Sequence, residues 1–249
     1  MFYLLVILGL IFGSFLNVLI LRLPNNLSII YPPSHCLACK KPLMWHHNIP
    51  ILSYLFLKGN SYCCDKPISI QYPIVELISA LLWIWSYYFI PDISTKILFL
   101  VLSSLLLVIF FTDLYYFIIP LEINVIMFLS ILLYKIYNLK IILGDLLHML
   151  IICFLFLIFI ILFSNLIKKN AMGYGDIVLI GVISFWLSWI DTLIIIFFSC
   201  IVSLIHWMII YLKSRKSNIR LPFGSSLSLV TIIYYMIIIS YNINMIFNI

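Results

Sequence analysis

The chain has 249 residues, 65% of them hydrophobic and only 9% charged, with a mean hydropathy of +1.25. Soluble domains carry about 25% charged residues, so this composition excludes a soluble fold and predicts an all-α membrane protein, a bundle of several spans. The formal charge of +6 does not imply a nucleic-acid partner, because the bases fall between apolar runs, where they set topology in a lipid bilayer.

The first apolar run, residues 2–21, is long enough to span at about 1.5 Å per residue. No basic segment precedes it and no small-residue cleavage site follows, so a retained helix is expected rather than a signal peptide. Within it, Gly13 and Ser14 suit close helix contact, and Asn17 suits a hydrogen bond across helices. Residues 22–72 are polar and carry Pro24, Pro32, Pro33, Pro42, Pro50 and Pro67, which interrupt any long helix. They are read as a small insertion between the first two spans. Residues 73–249 form the remaining helical domain, with apolar runs at 73–90, 96–112, 119–137, 142–166, 177–190, 192–212 and 226–247. About eight transmembrane helices are therefore expected, the sixth and seventh separated only by Asp191.

The bases orient the bundle. If the insertion is cytoplasmic, that side collects Arg22, Lys40, Lys41, Lys58, Lys66, Lys168, Lys169, Lys213, Arg215, Lys216 and Arg220, leaving Lys96, Lys135 and Lys140 outside. The positive-inside rule favours this arrangement, which places both termini on the periplasmic side.

Eight acids occur: Asp65, Glu76, Asp92, Asp113, Glu122, Asp145, Asp176 and Asp191. Asp113 ends the third apolar run and Asp176 starts the sixth, so both fall at the cytoplasmic end of the bundle. Asp92, Asp145 and Asp191 fall toward the opposite face, where solvation at helix ends is expected. Asp176 closes Gly173-Tyr174-Gly175-Asp176, whose glycines let the backbone turn tightly or let a helix come close beside the acid. A charged residue at a membrane boundary is costly and by default functional. Two facing carboxylates in low dielectric share one proton and titrate as a unit. Such a pair suits peptide hydrolysis: one member takes a proton from water while the other polarises the scissile carbonyl and protonates the leaving amine. A proton relay also uses paired acids, but here both lie at one face, with no ionisable chain crossing the bilayer and no inverted repeat.

Cys153 and Cys200 lie in apolar runs and are read as small buried hydrophobes. The other four lie in the insertion, where a reducing compartment favours metal over disulfide. Cys36-x-x-Cys39 is a proper ligand pair for tetrahedral zinc. Cys63 and Cys64 are adjacent, and the fourth ligand is left open among Cys63, His35, His46 and His47.

These motifs, in this order, resemble the type IV prepilin peptidases, membrane aspartic proteases of the GxGD type. Gly13-Ser14-Phe15-Leu16-Asn17-Val18 with Arg22-Leu23-Pro24 is similar to the family's opening. Cys36-Leu37-Ala38-Cys39, Asn48-Ile49-Pro50, Lys66-Pro67-Ile68-Ser69 and Tyr72-Pro73-Ile74-Val75-Glu76 are similar to its cytoplasmic insertion. Asp113 with Ile118-Ile119-Pro120, then Met172-Gly173-Tyr174-Gly175-Asp176, resemble its two catalytic motifs, and Leu221-Pro222-Phe223-Gly224 its late turn.

The resemblance implies cleavage of the basic leader of prepilins or pseudopilins at the cytoplasmic face of the inner membrane, with Asp113 and Asp176 as catalytic dyad. It also implies N-methylation of the new amine by S-adenosylmethionine, although the glycines here follow no strand and offer no dinucleotide fingerprint. Three departures stand out: Leu121 and Val178 where the family carries Asp and Lys, and Ser61 where it carries the third cysteine, Cys64 being in register with the fourth. They keep open an alternative, a non-cleaving relative acting in assembly or binding. The leader is basic, so Asp65, Glu76 and Glu122 are the acids available to contact it.

Overall fold

The computed structural model describes residues 2–139, 142–167, 173–215 and 220–247. Lys140, Lys168, Lys169 and Lys216 of the topology argument, and Ala171 and Met172 before the glycine motif, lie outside the described residues. The elements are α1 (Phe2–Arg22), a short 3-10 turn (Trp45–Asn48), α2 (Leu52–Phe56), α3 (Gln71–Phe89), α4 (Ile93–Tyr116), α5 (Leu121–Tyr137), α6 (Leu143–Ile167), α7 (Tyr174–Trp186), α8 (Trp189–Ser214) and α9 (Phe223–Phe247). Among the described residues there is no strand, only two isolated antiparallel bridges in the insertion.

Seven of the eight apolar runs fall on one helix each, and residues 177–190 run across the break between α7 and α8. Five helices, α1, α4, α6, α8 and α9, are long and apolar enough among the described residues to cross a membrane. α7 has 13 residues, about 20 Å of rise against a hydrocarbon core of about 30 Å. The boundary between the sixth and seventh runs lies three residues before Asp191. Ser188 caps α8, its hydroxyl accepting from the Asp191 N–H at 3.2 Å and donating to Asp191 Oδ2 at 2.7 Å.

The chain divides into two compact units, residues 1–108 and 109–249, the boundary falling inside α4. In the first, α1 and α3 run antiparallel in close contact. A Cβ on Gly9 would stand 2.6 Å from Ala80 Cα, and one on Gly13 2.6 Å from Glu76 Cα. One turn further, Asn17 donates to the Tyr72 carbonyl at 3.2 Å. Steps of four along α1 thus meet steps of four back along α3, the small-residue packing expected of helices in lipid. The opposite face of α1, with Ile7, Ile11 and Phe15, is exposed.

In the second unit α7 packs against α5, α6, α8 and α9. Its interior residues from Ile177 to Phe185 are almost all buried, which is why its sequence is apolar around its whole circumference. Gly181 admits Cys153 of α6, whose Sγ would lie 2.5 Å from a Cβ there. Lys135 of α5 pairs with Asp145 at the start of α6 and lies 5.0 Å from the Phe185 ring.

Candidate active site and cysteine cluster

The acidic site belongs to the second unit and is assembled from three helix ends. α4 stops one turn after Asp113: the Phe117 N–H donates to the Asp113 carbonyl, and Phe117 takes a left-handed φ of 55°. The Ile118-Ile119-Pro120 link follows, and Pro120, unable to donate, caps α5. The Asp113 carboxylate is buried, and Oδ2 accepts from the Ser225 N–H at 2.6 Å, in the first turn of α9. Asp176 lies in the first turn of α7, where Oδ2 accepts from the Gly173 N–H at 3.2 Å. This is half a capping box, since glycine has no side chain to return the bond. Each carboxylate therefore sits at the positive end of a different helix dipole, and each has one oxygen held by a main-chain donor.

The two acids flank one side chain: Ile119 lies against Gly175, next to Asp176, and against Gly224, where an added Cβ would stand 3.2 Å from Asp113 Oδ2. Asp176 Oδ1 is buried with no hydrogen-bond partner among the described residues. Burial makes an unpartnered carboxylate oxygen expensive, and a proton or a reactant at that atom relieves the cost. Gly175 and Gly224 keep the site narrow: added Cβ atoms would stand 3.0 Å from Ile119 Cβ and 2.5 Å from Ile119 Cδ1, respectively. Sequence reasoning did not single out Ser225, and it quoted Ile119 only inside the Ile118-Ile119-Pro120 motif, with no role of its own. Ser225 acts through its main chain, which leaves no side-chain signal, and Ile119 reads as one more apolar residue.

While Cys153 is half-buried against Gly181 and Cys200 is exposed on α8 rather than buried, Cys36, Cys39, Cys63 and Cys64 form a separate cluster in the first unit. Two short turns there have the same construction. In one, His35 bridges Pro42, the Cys36 N–H donates to the Lys41 carbonyl, the Lys40 N–H donates back to the Cys36 carbonyl, and Lys40 has φ 60°. In the other, Asn60 bridges Pro67, Ser61 and Lys66 repeat the first bond, Asp65 and Ser61 the second, and Asp65 has φ 52°. Ser61 thus occupies the place of Cys36, and Cys64 that of Cys39. Cys63 supplies the missing sulfur: the Sγ atoms of Cys36, Cys39, Cys63 and Cys64 all lie within 4.8 Å of one another.

Tetrahedral zinc with Zn–S near 2.3 Å sets its ligand sulfurs about 3.8 Å apart; Cys36 and Cys64 are 3.7 Å apart, and Cys39 and Cys63 2.8 Å. Four thiols at one point are a donor set that fits a metal ion in kind, and binding it would part Cys39 and Cys63 by about 1 Å. The Ser61 hydroxyl lies 3.3 Å from Cys36 Sγ and 3.2 Å from Cys63 Sγ. Together with the Cys39 and Ala38 main chain it holds the Cys36 thiol down at about 5, while Cys39, first among its neighbours, pushes Cys63 up to about 12. The histidines face elsewhere. His35 bonds the Pro33 carbonyl, and His47 stacks on Tyr62 at 4.0 Å with His46 against it.

The three acids considered for the leader have different settings. Glu76 is buried in α3, where Oε2 accepts from the Ile51 N–H at 2.7 Å. Ile51 has φ 57° and ψ −49° at the centre of a γ-turn closed from Leu52 N–H to the Pro50 carbonyl, a strained conformation for a β-branched residue. Asp65 is exposed in the second cysteine turn, and Glu122 is exposed in the first turn of α5. Asp92, Asp145 and Asp191 do lie at helix starts: Asp92 accepts from Ser94 and Thr95, Asp145 pairs with Lys135, and Asp191 also accepts from the Tyr234 hydroxyl at 2.6 Å. Leu121 is exposed and Val178 half-buried.

Comparison with known proteins divides the chain in a similar way. Residues 7–90 match the family described as the bacterial peptidase A24 N-terminal domain, and residues 100–208 match the type IV leader peptidase family. A prepilin leader peptidase/N-methyltransferase of Klebsiella pneumoniae is 34% identical over 73% of this chain and 82% of its own. The protein of that name from Pectobacterium carotovorum is 32% identical over 74% of each chain. Its counterpart in Aeromonas hydrophila is 29% identical over 92% of this chain and 88% of its own. No solved structure matches.

Proposed function

Because the chain belongs to the type IV leader peptidase family, we propose that it is a prepilin leader peptidase, a membrane aspartic endopeptidase that removes the leader of type IV prepilins or pseudopilins. The observation that carries the reading is the pair of carboxylates, Asp113 and Asp176, held at the N-terminal ends of α9 and α7. In this mechanism the pair shares one proton. The ionised member takes a proton from water as the water oxygen attacks the scissile carbonyl, and the protonated member gives its proton to the carbonyl oxygen, forming a gem-diol. On collapse the acid that took the water proton gives it to the departing amine, and the other recovers a proton from a gem-diol hydroxyl. The main-chain donors at Ser225 and Gly173 hold one oxygen of each acid, leaving the other oxygen for water and substrate.

The reading extends to topology and cofactors. α1 and α3 to α9 each pass through the bundle in the bacterial inner membrane, the short α7 among its neighbours rather than against lipid, with the catalytic ends cytoplasmic and both termini periplasmic; the distribution of bases supports this orientation. Cys36, Cys39, Cys63 and Cys64 hold zinc, which would tie the two turns of the insertion together. The relatives' name adds methylation of the new N-terminus, with S-adenosylmethionine as donor.

The test uses purified protein in detergent or nanodiscs with a prepilin substrate. Leader removal by the unaltered chain, together with its loss in Asp113→Asn and in Asp176→Asn at normal membrane insertion, supports the assignment. Normal processing by either variant overturns the dyad. An unaltered chain that binds prepilin but leaves the leader intact favours the assembly role, for which Leu121, Val178 and Ser61 are the features to restore.

A further inference from the structure

We propose that Ile119 is a positioning residue for the reaction: its side chain is the spacer that sets the distance between the two aspartates. The inference rests on the dyad reading above. Ile119 lies between α4 and α5, one residue before the Pro120 cap. A Cβ at Gly175 would meet Ile119 Cβ at 3.0 Å, and a Cβ at Gly224 would meet Ile119 Cδ1 at 2.5 Å and Cγ1 at 3.1 Å. One side chain thus fills the space that both glycines leave open, its root against α7 and its tip against α9.

Those two contacts are adjacent to the groups that hold the carboxylates. Gly175 immediately precedes Asp176. Gly224 immediately precedes Ser225, whose N–H holds Asp113 Oδ2, and a Cβ at Gly224 would itself stand 3.2 Å from that oxygen. Moving α7 away from α9 at this end would carry Asp176 away from the donor that fixes Asp113. Closing the gap would drive Ile119 into main chain on both sides.

Isoleucine suits the task because branching at Cβ restricts χ1, which gives a spacer of defined length. Close packing transmits displacement, since a void or an extra methyl must be absorbed by neighbours. A proton shared between two carboxylates and a water held beside them tolerate little error, and about 1 Å of misplacement costs about 10²-fold in rate. The glycines at 175 and 224 are then the two holes for one knob, which gives a common reason for the glycine beside Asp176 and the glycine of the late Pro-Phe-Gly turn.

The experiment measures kcat and KM for prepilin cleavage, per folded molecule, in Ile119→Val, Ile119→Ala, Gly224→Ala and the double variant Ile119→Val/Gly224→Ala. Asp113→Asn and Asp176→Asn are run in parallel. Ile119→Ala is expected to lower kcat about 10- to 10²-fold with KM changed less than about twofold, because positioning acts on the chemical step. Gly224→Ala is expected to lose about 10²-fold, and adding Ile119→Val to recover about tenfold of it, since loss of Cδ1 vacates the space the new methyl takes. Normal kcat in Ile119→Ala, or no recovery in the double variant, overturns the inference. If Ile119→Ala does not fold, recovery by the double variant decides the matter. Normal cleavage by the Asp→Asn variants sinks the dyad reading and this inference with it. If those variants are inactive while the Ile119 series cleaves normally, this inference alone falls.

Discussion

The Ser225 N–H reaches Oδ2 of Asp113 at 2.6 Å across 112 residues of chain. A main-chain donor at a helix start fixes a carboxylate more firmly than a flexible side chain, because the helix orients it and its dipole favours the anion. Asp176 uses the same device within its own turn, through the Gly173 N–H.

Replacing either acid by asparagine preserves shape but removes the exchangeable proton and the charge. Leader cleavage by Asp113→Asn or Asp176→Asn is expected to fall at least about 10²- to 10⁴-fold, measured by gel shift of a co-reconstituted prepilin. The double variant is expected to lose little more than either single one, since the acids act as a unit.

Gly13→Leu tests the crossing of α1 and α3. A Cβ alone would stand 2.6 Å from Glu76 Cα, so the larger side chain forces the helices apart. A stability loss of about 1–3 kcal/mol or more is expected, read as a lowered thermal midpoint in detergent. Gly144, half-buried in the first turn of α6, has nothing within 4 Å of an added Cβ, and Gly144→Ala is expected not to lower the midpoint, since alanine has less chain entropy to lose on folding.

Glu76 separates a structural role from a leader contact. Its carboxylate accepts from the Ile51 N–H and so supports a strained turn. Glu76→Gln keeps an acceptor and is expected to stay near wild type in stability, while Glu76→Ala leaves the N–H unpaired and costs about 1–3 kcal/mol. A rise in KM for prepilin in Glu76→Gln, with stability unchanged, would instead identify a leader contact.

The cysteine cluster predicts one zinc per chain by elemental analysis. Cys63→Ser is expected to lower zinc content sharply, because its sulfur replaces the one absent at Ser61. Ser61→Ala is expected to retain the metal, because its hydroxyl only bonds the sulfurs. Zinc requires thiolates, so binding releases protons and tightens as pH rises, and retention should weaken on acidification. Zinc held equally by Cys63→Ser would exclude this ligand set.

Much of this architecture was legible in the sequence because a bilayer leaves few options. Long apolar runs must be helices, since no other open structure satisfies its backbone in lipid, and seven of the eight runs lie on one helix each. Asn17 and Gly13 were readable as packing residues for the same reason. The helix ends were less legible: the break before α8 lies at Ser188, where a capping hydroxyl terminates the register, and not at Asp191.

The sequence by itself determined the chemistry available: two acids at matching ends of apolar runs, glycines beside one of them, and four cysteines in the only polar stretch. These follow from residue type and spacing, which composition and periodicity expose directly. Tertiary structure alone decided which groups meet. It brought Cys63, and none of the three histidines, to Cys36, Cys39 and Cys64, because two turns of like construction bring four sulfurs to one point. It committed Glu76 to Ile51, and it placed Ile119 between Gly175 and Gly224. Such contacts join residues far apart in the chain through main-chain donors and shape, neither of which is written in the identity of a residue.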